Sequence, residues 1–257
     1  MIFSGLVSVT FRQLLPGQIV NLVRQAELEG IEWGGDIHVP HGDIGKAKEV
    51  SDITKSEGLK IFAYGSYYVA GESEKEGLPF KKVLETAISL DAPIIRVWAG
   101  KRGSALADEN YRNNVISDTR RIAEAAESAG IIISFEFHKN SLTDTSESAS
   151  RLVRETAHEN IRLYWQPILY ADVNENLKAI DNILPWLTNI HVFNWCKKKE
   201  EFGPLADACD AWRCYLQRIK SSGKKHAAML EFVSGNSEES FIKDAQIFRE
   251  LLKKINH

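Results

Sequence analysis

The chain has 257 residues, of which 44% are hydrophobic and 26% are charged, with 17 glycines and 7 prolines. These proportions are typical of a globular protein and exclude disordered, collagen-like and disulfide-stapled classes. Its 32 Lys and Arg residues against 35 Asp and Glu residues give a formal charge of −3, so we predict neither a nucleic-acid nor a membrane partner.

The cysteines and the first residues of the chain indicate the cellular compartment in which we expect the protein. Cys196, Cys209 and Cys214 match neither a disulfide framework nor paired CxxC metal knuckles, and reduced thiols are the simplest interpretation. The first residues lack the basic start of a signal peptide, and no segment approaches the roughly 20 apolar residues of a membrane span. We therefore expect a soluble, cytoplasmic protein.

Eight short runs rich in β-branched and aromatic residues predict eight strands. In chain order they are Phe3–Val9, Ile31–Gly35, Leu59–Gly65, Ile94–Gly100, Ile131–His138, Ile161–Pro167, Ile190–Trp195 and Ala227–Val233. The stretches between them have helical periodicity, and Gly30, Gly58 and Gly130 stand where helices would stop. This alternation predicts a single (β/α)₈ TIM barrel over residues 1–257. A doubly wound open sheet is the alternative, but no strand is followed by a GxGxxG or GxxxxGK[ST] loop.

Polar residues alternate with apolar ones on several of these strands. On the fifth, a period of two places Ser134, Glu136 and His138 on one face. In a barrel this face turns inward, and the active site lies at the carboxyl ends of the strands. The residues placed there are Glu32, Asp36, His38, Arg96, Trp98, Glu136, His138, Gln166, His191 and Glu231.

Four of these residues come from four consecutive strands and predict a metal site. Glu136, Gln166, His191 and Glu231 supply two carboxylates, an amide and an imidazole. Such a set suits one divalent ion, Mn²⁺, Mg²⁺ or Co²⁺, or Zn²⁺ at lower coordination. The alternative is that the two acids only neutralise a buried cation such as Arg96, without catalysis.

Four stretches also carry a resemblance to a known family. They are Gly30–His38 (GIEWGGDIH), Phe135–His138 (FEFH), Ile190–Phe193 (IHVF) and Leu230–Val233 (LEFV). Together they resemble the xylose-isomerase-like TIM-barrel superfamily of sugar-phosphate isomerases and epimerases, over nearly the whole chain. In that family, strand-end residues in the order Glu, Asp, His, Glu bind one divalent metal. The matching positions here are Glu136, Gln166, His191 and Glu231, and their order and spacing resemble those of ketose 3-epimerases.

The chain departs from the family pattern at two positions. Gln166 stands where the family has Asp, so the site has one negative charge fewer and we expect weaker metal binding, although the amide oxygen can still coordinate. Leu169 stands where the family often has a substrate-side His. The basic residue that usually follows the strand-seven His by about six positions corresponds to Lys197.

The resemblance implies an enzyme, a divalent-metal-dependent isomerase or epimerase that acts on a sugar or sugar phosphate through an enediolate. Glu136 and Glu231 would each be both metal ligand and proton-transfer group, on opposite sides of the substrate. The residues expected to contact this small sugar-like molecule are His38, Arg96, Trp98, His138, Trp195 and Lys197. Homo-oligomerisation is left open.

Other functions remain open on the same scaffold. A metal-dependent dehydratase or lyase acting on a cyclic hydroxy acid would use the same metal and bases. A barrel that binds a sugar-like ligand without converting it would need no metal. A zinc phosphoesterase resembling endonuclease IV is disfavoured, because it needs many His ligands and the chain has 7 His in all.

Overall fold

The computed structural model describes residues 1–169, 171–196 and 201–256. The strands in these ranges are β1 (Ile2–Val7), β2 (Gly30–Gly34), β3 (Lys60–Val69), β4 (Ile94–Trp98), β5 (Ile132–Phe135), β6 (Ile161–Trp165), β7 (Leu187–Val192), β8 (Asn194–Cys196), β9 (Glu201–Gly203) and β10 (His226–Leu230). The α-helices are α1 (Pro16–Gln25), α2 (Ile44–Ser56), α3 (Phe80–Leu90), α4 (Glu109–Glu127), α5 (Ser146–Thr156), α6 (Val173–Ile183), α7 (Cys209–Lys220) and α8 (Glu238–Asn256).

Eight of the strands form a closed barrel in the order β1-β10-β7-β6-β5-β4-β3-β2. Neighbouring strands in the barrel run parallel, and an α-helix lies between each barrel strand and the next along the chain. The predicted (β/α)₈ barrel is therefore confirmed. The assignment of residues 1–257 to one domain stays a prediction. None of the helices in the described ranges is both long enough and apolar enough to cross a membrane.

Short polar residues begin several helices where a βα loop ends. Asp43, Asp108, Thr145 and Asp172 each accept a hydrogen bond from the backbone N–H three residues later. Such caps pair N–H groups that the helix cannot satisfy itself, and each contributes about 1 kcal/mol. They determine where the loops around the carboxyl ends of the strands stop.

The barrel strands bury apolar side chains on both faces. Phe135 of β5 belongs to the larger cluster, which joins the strands to the helices. Ile94 of β4 and Met229 of β10 belong to a smaller cluster. They precede Arg96 and Glu231 by two positions, so these polar residues share the inner face with them. The polar site therefore lies directly above the apolar interior of the barrel.

The strand ends differ from the predicted runs. β5 and β10 stop one residue before Glu136 and Glu231, so both acids begin loops rather than end strands. The predicted seventh run, Ile190–Trp195, is divided, because β7 ends at Val192 and Trp195 lies on β8. β8 and β9 form an antiparallel hairpin beside the barrel, which the sequence pattern did not predict.

Candidate metal centre and cavity

The four predicted metal ligands all lie at the carboxyl end of the barrel. Glu136, Gln166 and Glu231 are each the first residue after their strands, β5, β6 and β10, while His191 lies within β7. These strands are neighbours in the order β5-β6-β7-β10. Because parallel strands end at the same rim, the four side chains come from one continuous half of the barrel mouth.

Three side-chain oxygens surround one nitrogen of His191. Its Nδ1 lies 3.1 Å from Glu231 Oε2 and 3.6 Å from Glu136 Oε1. Gln166 Oε1 is 3.3 Å from the same nitrogen. One donor atom from each of Glu136, His191 and Glu231 falls within 4.8 Å of the others. The structure thus brings together all four predicted ligands, and their donor atoms suit a divalent ion.

The buried charges support the same interpretation. Glu32, Glu136 and Glu231 are buried beside one buried guanidinium, that of Arg96. Three carboxylates and one guanidinium leave a charge of −2 when His191 is neutral. Buried charge is costly unless it is compensated, and a divalent cation would bring this cluster to neutrality. Glu32 thus adds a carboxylate behind the four ligands, and the weaker metal binding expected from Gln166 stays a prediction.

Glu136 is held by two donors. Arg96 donates through Nη1 to Glu136 Oε2 and through Nε to Glu32 Oε1, the latter at 2.6 Å. The indole Nε1 of Trp98 donates to the same Glu136 oxygen at 2.6 Å. Glu231 differs, since its one ion pair within the described ranges is with His191. The two predicted catalytic acids therefore have unequal surroundings.

Neighbouring charges outweigh burial in setting the pKa values of the acids and the histidine of this centre. Burial alone would raise the pKa of Glu136 and of Glu32, but Arg96 and His191 hold both below their ordinary values. Burial alone would lower the pKa of His191, but Glu231 and Glu32 raise it well above its ordinary value. A cation that binds through Nδ1 needs that nitrogen unprotonated, so a cation and a proton would compete for it.

A cavity of about 630 Å³ opens above these residues, which is within the usual range for small-molecule sites. Glu136, Gln166 and Glu231 line its floor, together with Arg96. One wall is aromatic, because the imidazole of His138 stacks on Trp98 with ring centroids 4.5 Å apart. The cavity therefore combines polar atoms at its base with flat apolar surfaces.

Aromatic rings of the β8–β9 hairpin and of the residues next to it also line the cavity. Phe202 of β9 packs on Phe193 and Trp195 and stacks on Phe232, with centroids 5.0 Å apart in the last pair. All four rings line the cavity. Phe232 follows Glu231 directly and has a left-handed backbone, φ 55°, which is strained for an aromatic residue. This turn directs the chain away from the barrel immediately after Glu231.

The predicted substrate-binding residues divide into three groups. Arg96, Trp98, His138 and Trp195 line the cavity. His38 is buried elsewhere, with Nδ1 2.9 Å from Ser8 Oγ, and it is not among the lining residues. Lys197 lies outside the described residues. His38 was predicted to bind substrate because it follows β2. Its ring instead turns toward Ser8 in the connection between β1 and α1.

Arg12 and Tyr67 are among the lining residues that were not predicted from the sequence. Arg12 pairs with Asp36 at 2.5 Å and donates to the Tyr67 hydroxyl at 3.2 Å. Tyr67 has φ 56° and places its ring 5.1 Å from the Arg96 guanidinium. Arg12 follows predicted strand one, and Tyr67 follows predicted strand three. Their position after a strand was the signal that could have identified them as site residues. Glu32 lies within the predicted second strand and was placed at the carboxyl ends of the strands, but it was not assigned a role.

The closed barrel with polar donors at one rim defines a TIM-barrel protein with a candidate metal centre. The sequence profile of the xylose isomerase-like TIM barrel family matches residues 20–252. The chain belongs to this family, as the resemblance predicted.

Known relatives include enzymes of two reaction types. The chain is 27% identical to the 3-dehydroshikimate dehydratase of Bacillus anthracis over 198 residues, 74% of this chain and 71% of that protein. The crystal structure of a probable 3-DHS dehydratase from Bacillus anthracis matches with a TM-score of 0.81 and 20% identity, over 97% and 99% of the two chains. The structure of L-ribulose 3-epimerase matches with a TM-score of 0.79 and 16% identity, over 100% and 96%.

Proposed function

We propose that the protein is a divalent-metal-dependent dehydratase. It would remove a proton next to the carbonyl group of a small cyclic hydroxy ketone and expel a β-hydroxyl group as water. The observation that supports this choice is the unequal treatment of the two acids: Glu136 is held by Arg96 and Trp98, whereas Glu231 is not. Elimination needs one base and one acid, whereas epimerisation exchanges protons on both faces.

Each polar group at the cavity floor has a role in this proposal. Glu231 lines the cavity and takes the proton. Glu136, with its pKa lowered, stays ionised and acts as a ligand. His138, stacked on Trp98 and lining the same cavity, donates a proton to the leaving hydroxyl group, since imidazole is suited to this near neutral pH.

The metal ligands would be Glu136, Gln166, His191 and Glu231. A divalent ion bound there supplies Lewis-acid stabilisation of the negative charge that develops on the substrate oxygens. Arg96 keeps Glu136 oriented toward that position. The aromatic walls exclude water from the cavity floor, which strengthens the charge interactions there.

An isomerase or epimerase is the second candidate, and one observation favours it. Glu136 and Glu231 follow β5 and β10, which are separated by β6 and β7 in the barrel order. Two carboxylates at that separation can face opposite sides of a bound sugar, as a two-base reaction requires. The fold similarity to L-ribulose 3-epimerase is compatible with either reaction.

The deciding experiment uses Mn²⁺-loaded protein in D₂O. It would be incubated with cyclic hydroxy keto acids, 3-dehydroshikimate among them, and separately with ketoses. A dehydratase gives a product that has lost water and absorbs in the ultraviolet through its new conjugated double bond. An epimerase gives a deuterated isomer of unchanged composition. Metal retention with neither loss of water nor deuterium exchange in any compound contradicts both and indicates a binding protein.

A further inference from the structure

Two buried polar atoms beneath the metal centre face each other. Glu32 Oε2 and His191 Nε2 have no hydrogen-bond partner among the described residues, and they lie 3.5 Å apart. Both side chains are fully shielded from solvent, so bulk water cannot pair with either atom. The arrangement that satisfies both is a proton on His191 Nε2 donated to the Glu32 carboxylate.

The other oxygen of Glu32 holds Arg96. Arg96 Nε donates to Glu32 Oε1 at 2.6 Å, and Nη1 of the same guanidinium donates to Glu136. Because the guanidinium is planar and rigid, fixing Nε also fixes the direction of Nη1. Glu32 therefore contacts one predicted ligand directly and controls the orientation of a second through Arg96.

The neighbouring strand leaves space for this pair. Gly65 lies on β3, between the strands that carry Glu32 and Arg96. A Cβ atom at position 65 would lie 2.6 Å from Arg96 Nη2 and 2.9 Å from Glu32 Oε1. These approaches are too close for any side chain, so the glycine is needed for the ion pair to occupy the barrel interior.

We propose that Glu32 is a positioning residue for the metal centre. It holds His191 in the tautomer that carries its proton on Nε2, which leaves Nδ1, the nitrogen surrounded by Glu136, Gln166 and Glu231, free to bind a cation. Carboxylates commonly orient metal-binding histidines in this way, and their loss typically weakens metal binding 10- to 100-fold. This inference rests on the cation site of the proposed function, but not on the reaction.

The test compares Mn²⁺ binding by calorimetry in wild type, Glu32→Gln and Glu155→Gln. Glu155 pairs with the buried Arg112 between α4 and α5, away from the site, so its variant also breaks an ion pair with a buried arginine. We expect Glu32→Gln to weaken Mn²⁺ binding about 10- to 100-fold and Glu155→Gln to leave it unchanged. In ¹⁵N spectra of Mg²⁺-loaded wild type, the His191 proton should sit on Nε2, and a proton on Nδ1 would overturn the proposal.

Equal Mn²⁺ affinity of wild type and Glu32→Gln, with a lowered melting temperature, would overturn the proposal and leave Glu32 as a structural counter-charge. If Glu32→Gln does not fold, Glu32→Asp serves instead, because the aspartate keeps the negative charge but its side chain is one methylene shorter. It should bind Mn²⁺ more weakly than wild type, and wild-type affinity would overturn the proposal. Wild type that binds Mn²⁺ but converts no compound contradicts the proposed function alone. Wild type that binds no Mn²⁺ overturns both.

Discussion

At the residue scale, the two glutamates of the metal centre differ in what holds them. We expect Glu231→Gln to reduce deuterium exchange into a substrate at least ~10²-fold because the base is lost, and to lower the melting temperature because His191 loses a charged partner. Glu136→Gln should also lose stability, by about 3–5 kcal/mol, because Arg96 loses a charged partner. Thermal melting and the exchange assay on both variants measure this. Unchanged exchange in Glu231→Gln would contradict the assignment of the base.

Gln166 allows a second prediction at this scale. Its Oε1 faces His191, and its Nε2 donates to the backbone carbonyl of Phe137 at 2.5 Å. Gln166→Asp adds a carboxylate to the donor set, so we expect tighter Mn²⁺ binding by calorimetry. It also removes the donor to Phe137, so the metal-free form should lose about 1–3 kcal/mol. Unchanged affinity would mean that the residue 166 side chain does not reach the ion, and Gln166→Asn is the uncharged control of equal size.

The types of residue at the centre were predictable, but their pairings were not. Alternation along a strand places Glu136 and His138 on one face, and barrel geometry then puts that face toward the site. The contact between Arg96 and Glu32 joins residues 64 positions apart. It depends on side-chain rotamers and on the space left by Gly65, neither of which periodicity reveals. The same holds for His38, whose ring turns toward Ser8.

At the scale of elements, the β8–β9 hairpin forms one wall of the cavity. Phe202 stacks on Phe232 and touches Trp195, so Phe202→Ala should remove apolar surface that a substrate ring would cover. We expect KM to rise about 10-fold or less with kcat nearly unchanged, which corresponds to at most ~1.4 kcal/mol of uniform binding. Steady-state kinetics measure this, with Leu106→Ala, an exposed residue in another βα loop, as the control. A fall in kcat alone would instead connect the hairpin with the chemical step.

This hairpin also shows where strand prediction from sequence fails. The run Ile190–Trp195 is rich in apolar and aromatic residues, with His191 and Asn194 as its polar members, and periodicity gives no reason to divide it. The division at Phe193 depends on β9, which lies later in the chain and pairs Trp195 with Phe202. Short antiparallel strands of this kind are stabilised by tertiary contacts rather than by local propensity.

At the scale of the whole molecule, buried histidines make stability depend on pH. Burial lowers the pKa of His38, His41 and His226. As pH falls below about 6.5, the unfolded chain takes up these protons before the folded one does, so the free energy of unfolding decreases. The slope is at most about 1.4 kcal/mol per pH unit for each histidine. The raised pKa of His191 acts above pH 6.5 only, where it makes stability decrease as pH rises.

Urea unfolding of metal-free protein between pH 7 and 5.5 measures this dependence. His226 lies away from the cavity, with Nδ1 2.7 Å from the Thr188 carbonyl and Nε2 2.8 Å from Ser222 Oγ. His226→Gln should therefore be less stable than wild type at pH 7 but lose less stability on acidification. A slope equal to that of wild type would show that this histidine does not take up its proton on unfolding.

The residues of the candidate metal centre differ in how firmly the fold holds them. This difference affects how the activity of this barrel can diverge. Glu32 and Arg96 lie within strands, and Arg96 binds Glu136, the first residue after β5. Changing one of these three therefore disturbs the folded core. Substitution is tolerated better in the loops that follow the strands. Gln166 and Glu231 begin two of these loops, and the hairpin with its aromatic rings lies in the connection from β7 to α7. Substitutions at the loop residues can therefore change which substrate fits while Glu32, Arg96 and Glu136 keep their positions.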